Sequence, residues 1–436
     1  MKRFRRYIPH IAVFAGLTAA VYLLMVFAAA IPNSAIQRNM RQSALQYMDT
    51  DRYALTEDGL FQNITDNHAD QMWLNIGWQM GSGNPFRSAL DTKYYDGMEH
   101  GTTAGLYLTI TRGKEANAEY SRYWHATAGL MRIAHLFMDI RGIKFFGMVG
   151  LMLLILQTLI SLFRRGHGDF GLCLVLSLLL VQVWNLRLSV EYLPCFVICF
   201  ALCPHFLRLE RKGNFHLELL SVISGTITAS FDFLTTETVT ILVPLILVMA
   251  VRSRERRLGS PQKVLKLLLR CCMCWLLAYA GSFVIKWVAV SLATGQNHIL
   301  TAVESAGKRV GGVVTAGQVR KKPNAFMAIA ANFSTLFEGT SRTDYVRAGM
   351  YPVIIILLAL LIYWMCRTRQ KRHPGTLFLL LLGCAVILRY GVLANHSFMH
   401  AFFTYRALIS TILGLLTAMA LNLRPSAKEG GMRQWS

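Results

Sequence analysis

The stretch IKFFGMVGLMLLILQTLISLFRR, residues 143–165, decides the class of fold. An almost unbroken apolar run of about twenty residues is the length of helix that crosses about 30 Å of hydrocarbon. It stops on Arg164 and Arg165, as a span stops at a charged membrane surface. Similar blocks recur along the chain, which is 54% hydrophobic and 16% charged. A soluble domain carries about 25% charge. The formal net charge of +22 sits in short runs that flank apolar blocks. It is therefore read as a topology signal, and nucleic acid is not expected as a partner.

Working outward, the pattern predicts an all-α polytopic membrane protein with about ten transmembrane helices and two large outward-facing segments. Expected spans are 10–31, 143–163, 169–185, 190–207, 215–232, 236–251, 267–290, 346–366, 374–393 and 404–423. The basic head MKRFRRYIPH before the first apolar run reads as the flank of a retained first helix. The organisation that follows is a first helix at 1–31 and an extracytoplasmic segment at 32–142. A helix block follows at 143–290, then a second extracytoplasmic segment at 291–345. The last helices occupy 346–423 and a cytoplasmic tail 424–436. The interrupted stretch WHATAGLMRIAHLFMD, at 124–139, suits a helix lying at the interface. The short loops 1–9, 252–266 and 367–373 are rich in Arg and Lys, which puts them and both termini in the cytoplasm. Residues 32–122 hold eight Lys or Arg against eleven Asp or Glu, a mildly acidic outer surface.

The nine cysteines fall in or beside apolar blocks, so no disulfide framework is expected. Cys195, Cys199 and Cys203 share a helix face and read as small packing residues. The sequence contains no Gly-rich phosphate loop, no nucleotide-binding strand–turn–helix and no nucleophile elbow.

Candidate chemistry lies in the outer segments. Asp49, Asp51, Asp66 and Asp70 are candidate catalytic carboxylates, able to act as a general base. Asp66 and Asp70 are four apart and share a face if helical. Tyr94, Tyr95, Asp96, Glu99, Tyr123 and Trp124 form an aromatic and acidic set suited to sugar rings, or equally to an interfacial aromatic belt. Arg122 and His125 can neutralise a lipid-linked phosphate or an ordinary headgroup. Asp232, Lys286, His396, His400, Tyr405 and Arg406 are further candidates for binding substrate at the outer ends of the spans. His396 and His400 have helical i,i+4 spacing, but the usual zinc motif also places a glutamate between them. A divalent metal ion is the one cofactor this pattern admits.

The stretches TDNHADQMWLNI (65–76), YYDGMEHG (94–101), YSRYWHATAGLMR (120–132), FDFLTTETVT (231–240) and NHSFMHAFFTYR (395–406) resemble a group of bacterial polytopic membrane proteins. In layout the chain resembles the GT-C class of polyprenyl-phosphate-sugar glycosyltransferases, with a large acidic outer segment after the first span and many spans behind it. That resemblance implies an inverting transfer in the bacterial cell membrane. A polyprenyl-phosphate-linked sugar would be the donor and an envelope glycan or lipid the acceptor, with membrane lipids around them. The base would be a loop carboxylate, pointing to Asp49 or Asp51 with Asp66 and Asp70 in competition. Two other readings stay open. A lipid-linked glycan transporter or flippase would use the polar residues near the spans. A non-catalytic envelope assembly factor would use the aromatic loop for docking.

Overall fold

A computed structural model of the chain describes residues 6–56, 60–97, 104–312, 314–316, 319–337 and 373–423. The expected span at 346–366, the tail at 424–436 and Glu99 lie outside the described residues.

The chain is overwhelmingly helical. In order the described helices are α1 (Ile8–Ala30), α2 (Asn33–Leu45), α3 (Asn67–Gln79), α4 (Pro85–Ser88), α5 (Gly105–Arg112) and α6 (Ala126–Ala134). Then come α7 (Ile140–Phe163), α8 (Gly168–Leu180), α9 (Pro194–Leu209), α10 (Asn214–Phe231), α11 (Val239–Arg254) and α12 (Pro261–Thr294). The series ends with α13 (His298–Gly311), α14 (Ala325–Leu336), α15 (Thr376–Val392), α16 (Ala394–Met399), α17 (Ala401–Thr404) and α18 (Ile409–Leu423). Three two-stranded antiparallel ribbons join Tyr53–Ala54 to Thr65–Asp66, Lys93–Tyr94 to Ala118–Glu119, and Val314–Ala316 to Val319–Lys321.

Among the described residues, five helical stretches are long and apolar enough to cross a membrane: Ile8–Ala30, Ile140–Phe163, Val190–Lys212, Pro261–Thr294 and Ala401–Leu423. Gly168–Leu180, Ala325–Leu336 and Thr376–Val392 are shorter apolar helices. The helix Ala325–Leu336 falls within the second segment read as polar, and it packs on α15, α16 and α17. Its Asn332 is fully buried and donates to the carbonyls of Ala328 and Ser397, both at 2.8 Å.

Burial sorts the helices. α11 is apolar on every side and buried from Val239 to Ser253, packed by α9, α10, α15 and α18. A helix of that pattern belongs at the centre. α1 and α7 bury only narrow stripes and leave Phe27, Phe145 and Leu153 outward. Close backbone approach ties the neighbours. A Cβ at Gly225 of α10 would collide with the Trp275 carbonyl oxygen of α12, so only glycine fits there.

The loop ends fall into two groups at opposite ends of the bundle. At the arginine-rich end, Glu210 meets Arg257 at 2.7 Å, Arg252 at 3.1 Å and Arg165 at 3.5 Å. Asp169 meets Arg254 there at 2.6 Å, and Glu218 meets Arg6 at 2.9 Å. At the other end, the described residues between 33 and 139 form a subdomain around Met40, Tyr47, Trp73, Leu106 and Trp124.

The stretch 124–139 is helical only over α6, which is wedged between α1 and α3 with most of its residues buried. Its Arg132 explains the position. The guanidinium donates to the Ala28 carbonyl at 2.8 Å, the Gly77 carbonyl at 2.6 Å and the Ile31 carbonyl. These acceptors close the C-terminal ends of α1 and α3. Carbonyls at a helix end face outward, the Ala28 oxygen also accepting the Ile31 amide at 3.3 Å, and the helix dipoles favour a cation there. Burial lowers the Arg132 pKa to about 10, which still leaves it charged at neutral pH. Arg132→Met is therefore expected to cost about 3 kcal/mol or more, because buried carbonyls lose their donors. Thermal unfolding of the detergent-solubilised protein checks this, with the outward-facing Leu388→Ala as a control that should scarcely move the midpoint.

Candidate functional site

Asp70 is the first point of order at the subdomain end. It is wholly buried on the first turn of α3. Its carboxylate accepts from Ser189 Oγ at 2.8 Å, the Val190 amide at 2.8 Å and Tyr47 Oη at 3.0 Å, and it pairs with Lys144 Nζ at 2.7 Å. Those partners come from the end of α2, from α7 and from the turn after α8. With its acceptor sites filled, Asp70 is a structural pin. One turn earlier, Asp66 caps α3 by accepting from the Ala69 amide at 2.8 Å, and its carbonyl accepts from Ser189 Oγ at 3.1 Å. The same pin that holds Ser189 and Val190 brings Glu191 up beside Asp66.

Asp66 and Glu191 line a cavity of about 360 Å³. Arg122, Lys308, Arg309, His396 and His400 line it too. The remaining wall is largely aromatic: Tyr53, Tyr94, Tyr120, Phe233 and Phe403. Phe233 sits in an aromatic cluster, 5.4 Å from Tyr120, 5.2 Å from Tyr123 and 5.5 Å from Trp73, ring centre to ring centre.

The electrostatics of the two sides differ. Burial pushes the Asp66 carboxyl up to about 7, with the Asp70 charge adding to it. Glu191 is 2% exposed and has no salt-bridge partner among the described residues. Opposite, the Arg122 guanidinium lies 3.9 Å above the Tyr120 ring and the Arg309 guanidinium 5.6 Å from the Tyr123 ring. Neither forms a salt bridge with a described acid, and the Nε of each lacks a hydrogen bond. Burial, then the charges of Arg309 and Arg389, holds His400 down at about 4, and its Nδ1 has no partner among the described residues. His396 is held well below its ordinary value, chiefly by burial, and its Nε2 donates to the Leu234 carbonyl at 2.7 Å. Both imidazoles are neutral at pH 7. The positive charge facing the acids is that of Arg122, Lys308 and Arg309.

A strained turn supports this wall. Leu234 has φ of 66°, an uncommon conformation for a non-glycine residue. It is held by His396 and by Arg389, whose Nη2 donates to the Leu234 carbonyl at 2.9 Å. Arg389 is itself fixed by Glu237 at 2.8 Å. Asp232 stabilises the same turn by accepting from the Thr235 amide at 3.1 Å, and it does not line the cavity.

The other residues picked out in the sequence go to several places. Asp49 and Asp51 are exposed and do not line the cavity. Tyr95 is buried and tied through its backbone to Asn75 at 3.2 Å. Asp96 faces Arg52 at 3.6 Å. Tyr123 packs behind Arg122, its hydroxyl pushed up to about 12 by burial. Trp124 donates to the Ser282 carbonyl at 2.8 Å. His125, driven to about 3 by burial, accepts from Trp73 Nε1 at 3.1 Å and meets the Tyr120 carbonyl at 2.8 Å. Lys286 is fully buried against the Leu90 carbonyl and 5.4 Å from the Trp124 ring. Tyr405 donates to the Val181 carbonyl at 3.3 Å, and Arg406 to the Gln62 carbonyl at 3.0 Å. Asp66, Tyr94, Arg122, His396 and His400 are thus the chosen residues that meet in one cavity. His68, Tyr53, Tyr120, Glu191, Phe233, Lys308 and Arg309 join them. The spacing of residues in sequence carries no signal for that set, because its members come from eight separated segments.

Among the described residues, no three His, Cys, Asp or Glu side chains converge to hold a metal ion. Comparison with known proteins returned nothing: no family model, curated protein or solved structure matches the chain.

The raised pKa of Asp66 has a readout in stability. Its unfolded value lies near 3.9 and its folded value near 7, so the native state binds the proton more tightly. Between those values the native state loses stability as pH rises. Asp66→Asn keeps the helix cap and should flatten that slope. Thermal unfolding at about pH 5 and about pH 8 checks it. Parallel profiles for the two proteins would show that Asp66 is not a buried ionisable group.

Proposed function

We propose that the chain transfers a sugar from a polyprenyl-phosphate carrier to an envelope glycan or lipid at the outer face of a bacterial cell membrane. The observation that carries this reading is one cavity lined both by the buried carboxylates Asp66 and Glu191 and by Arg122 and Arg309, whose Nε groups have no hydrogen-bond partner among the described residues. Such a site divides the labour of an inverting transfer. A carboxylate takes the proton from the acceptor hydroxyl as its oxygen attacks the anomeric carbon. The bond between that carbon and the carrier phosphate oxygen breaks. The departing phosphate gathers negative charge beside Arg122, Lys308 and Arg309.

Asp66 is the favoured base. Its pKa near 7 suits proton transfer at neutral pH, where a base must be ionised yet still basic. Glu191 beside it would keep one of the pair protonated by like-charge repulsion. Neutral His396 and His400 would offer hydrogen bonds without competing for the charge. The tyrosine and phenylalanine faces supply a platform for a sugar ring. The polar residues that a transport route would need are individually tied: Glu218 to Arg6, Arg389 to Glu237, and Lys286 to the Leu90 carbonyl. That pattern favours an enclosed reaction site over a continuous polar path.

The test is transfer from a panel of polyprenyl-phosphate hexoses by purified protein in lipid nanodiscs. Asp66→Asn and Glu191→Gln are each expected to lower turnover about 10²-fold or more, while Asp49→Asn and Asp51→Asn stay near the starting rate. Arg309→Ala should lower kcat/KM about tenfold. Loss of turnover in Asp49→Asn or Asp51→Asn, with Asp66→Asn unaffected, would move the base elsewhere.

A further inference from the structure

A second cleft, of about 460 Å³, opens at the arginine-rich end between α1, α10 and α12. Phe14, Val222, Met273 and Leu277 give it an apolar wall, and His10 and Arg270 stand on it as polar groups. We propose that this cleft binds an anionic phospholipid, with one acyl chain along the apolar wall and the phosphate at Arg270 and His10. The proposal is independent of the reaction assigned to the opposite end.

Three observations point to that occupant. The first is charge. Glu218 is fully buried and is approached by Arg6 at 2.9 Å and by Arg270 at 3.6 Å. One carboxylate between two guanidinium groups leaves a positive charge that an anion would balance. The second is an unanswered polar group. His10 is 5% exposed, and neither of its ring nitrogens has a well-formed hydrogen bond among the described residues. Leaving such a group unpaired is costly, and a phosphate oxygen would accept its N–H. The third is access. Ile11 and Leu277 on the rim are 53% and 66% exposed, so the cleft opens sideways into hydrocarbon. A free phosphate ion has no use for that apolar wall. A purely apolar helix would leave His10 and the surplus cation unanswered.

The experiment uses the full chain, delipidated in detergent and titrated with phosphatidylglycerol or phosphatidylcholine under native mass spectrometry. Phosphatidylglycerol should bind about tenfold more tightly, because both lipids bring a phosphate but the trimethylammonium of phosphatidylcholine cancels its charge beside the surplus cation. Arg270→Gln should erase the preference, and Arg270→Lys should keep most of it. Met273→Trp, which fills the cleft from a half-exposed position, should weaken both lipids and decides the matter should Arg270→Gln fail to fold. Equal affinity for the two lipids, or Met273→Trp binding phosphatidylglycerol as before, would overturn the proposal. So would displacement of phosphatidylglycerol by millimolar inorganic phosphate, which would indicate an ion site with no role for the chain.

Discussion

The arrangement depends on one buried carboxylate. Asp70 draws Tyr47, Lys144, Ser189 and Val190 to a single point, and so joins the subdomain to two helices of the bundle. A lone buried charge is costly, but one with its acceptor positions filled and a lysine beside it is held firmly. Everything at the cavity inherits its position from that pin. Asp66 is one helical turn away along α3, and Glu191 follows Val190 in the chain. Arg132 makes the second tie, from α6 to the ends of α1 and α3.

Much of the helical framework was legible in the sequence, because apolar length and flanking charge act locally. The long helices near 8–30, 140–163 and 261–294 follow the expected spans closely. The site was legible only in part. Asp66 and Asp70 look alike as neighbouring acids on one helix face. Their difference arises from Ser189 and Val190, more than a hundred residues away. Glu191 lay hidden beside an apolar run, with no motif to mark it. Trp124, Lys286, Tyr405 and Arg406 stood out because polar groups in apolar surroundings need a reason. Their reason is structural: each donates to a backbone carbonyl, those of Ser282, Leu90, Val181 and Gln62 in turn.

The two ends of the molecule use opposite charges in the same way. At the arginine-rich end, buried Glu210 collects Arg165, Arg252 and Arg257. The basic residues that suggest orientation are therefore also the pins between α7, α9 and α11. Glu255 shows the consequence: His167, Arg257 and Arg211 hold its carboxyl down at about 2 against the cost of burial. At the subdomain end the balance is reversed, and Asp66 is left short of cations. Spare acidity there and spare basicity across the cavity are the polarity that a charge-separating reaction would draw on.

The cavity also has a history in time. Its wall takes residues from Tyr53 through Tyr94, Arg122, Glu191, Phe233 and Arg309 to Phe403. No shorter portion of the chain contains all of its sides, and such long-range closures form late. A nascent chain still attached to the ribosome would already have inserted its early helices while its cavity lacked the wall that holds His396 and His400. Until the segment around His396 and His400 joins the earlier ones, Asp66 and Glu191 have no complete cavity around them.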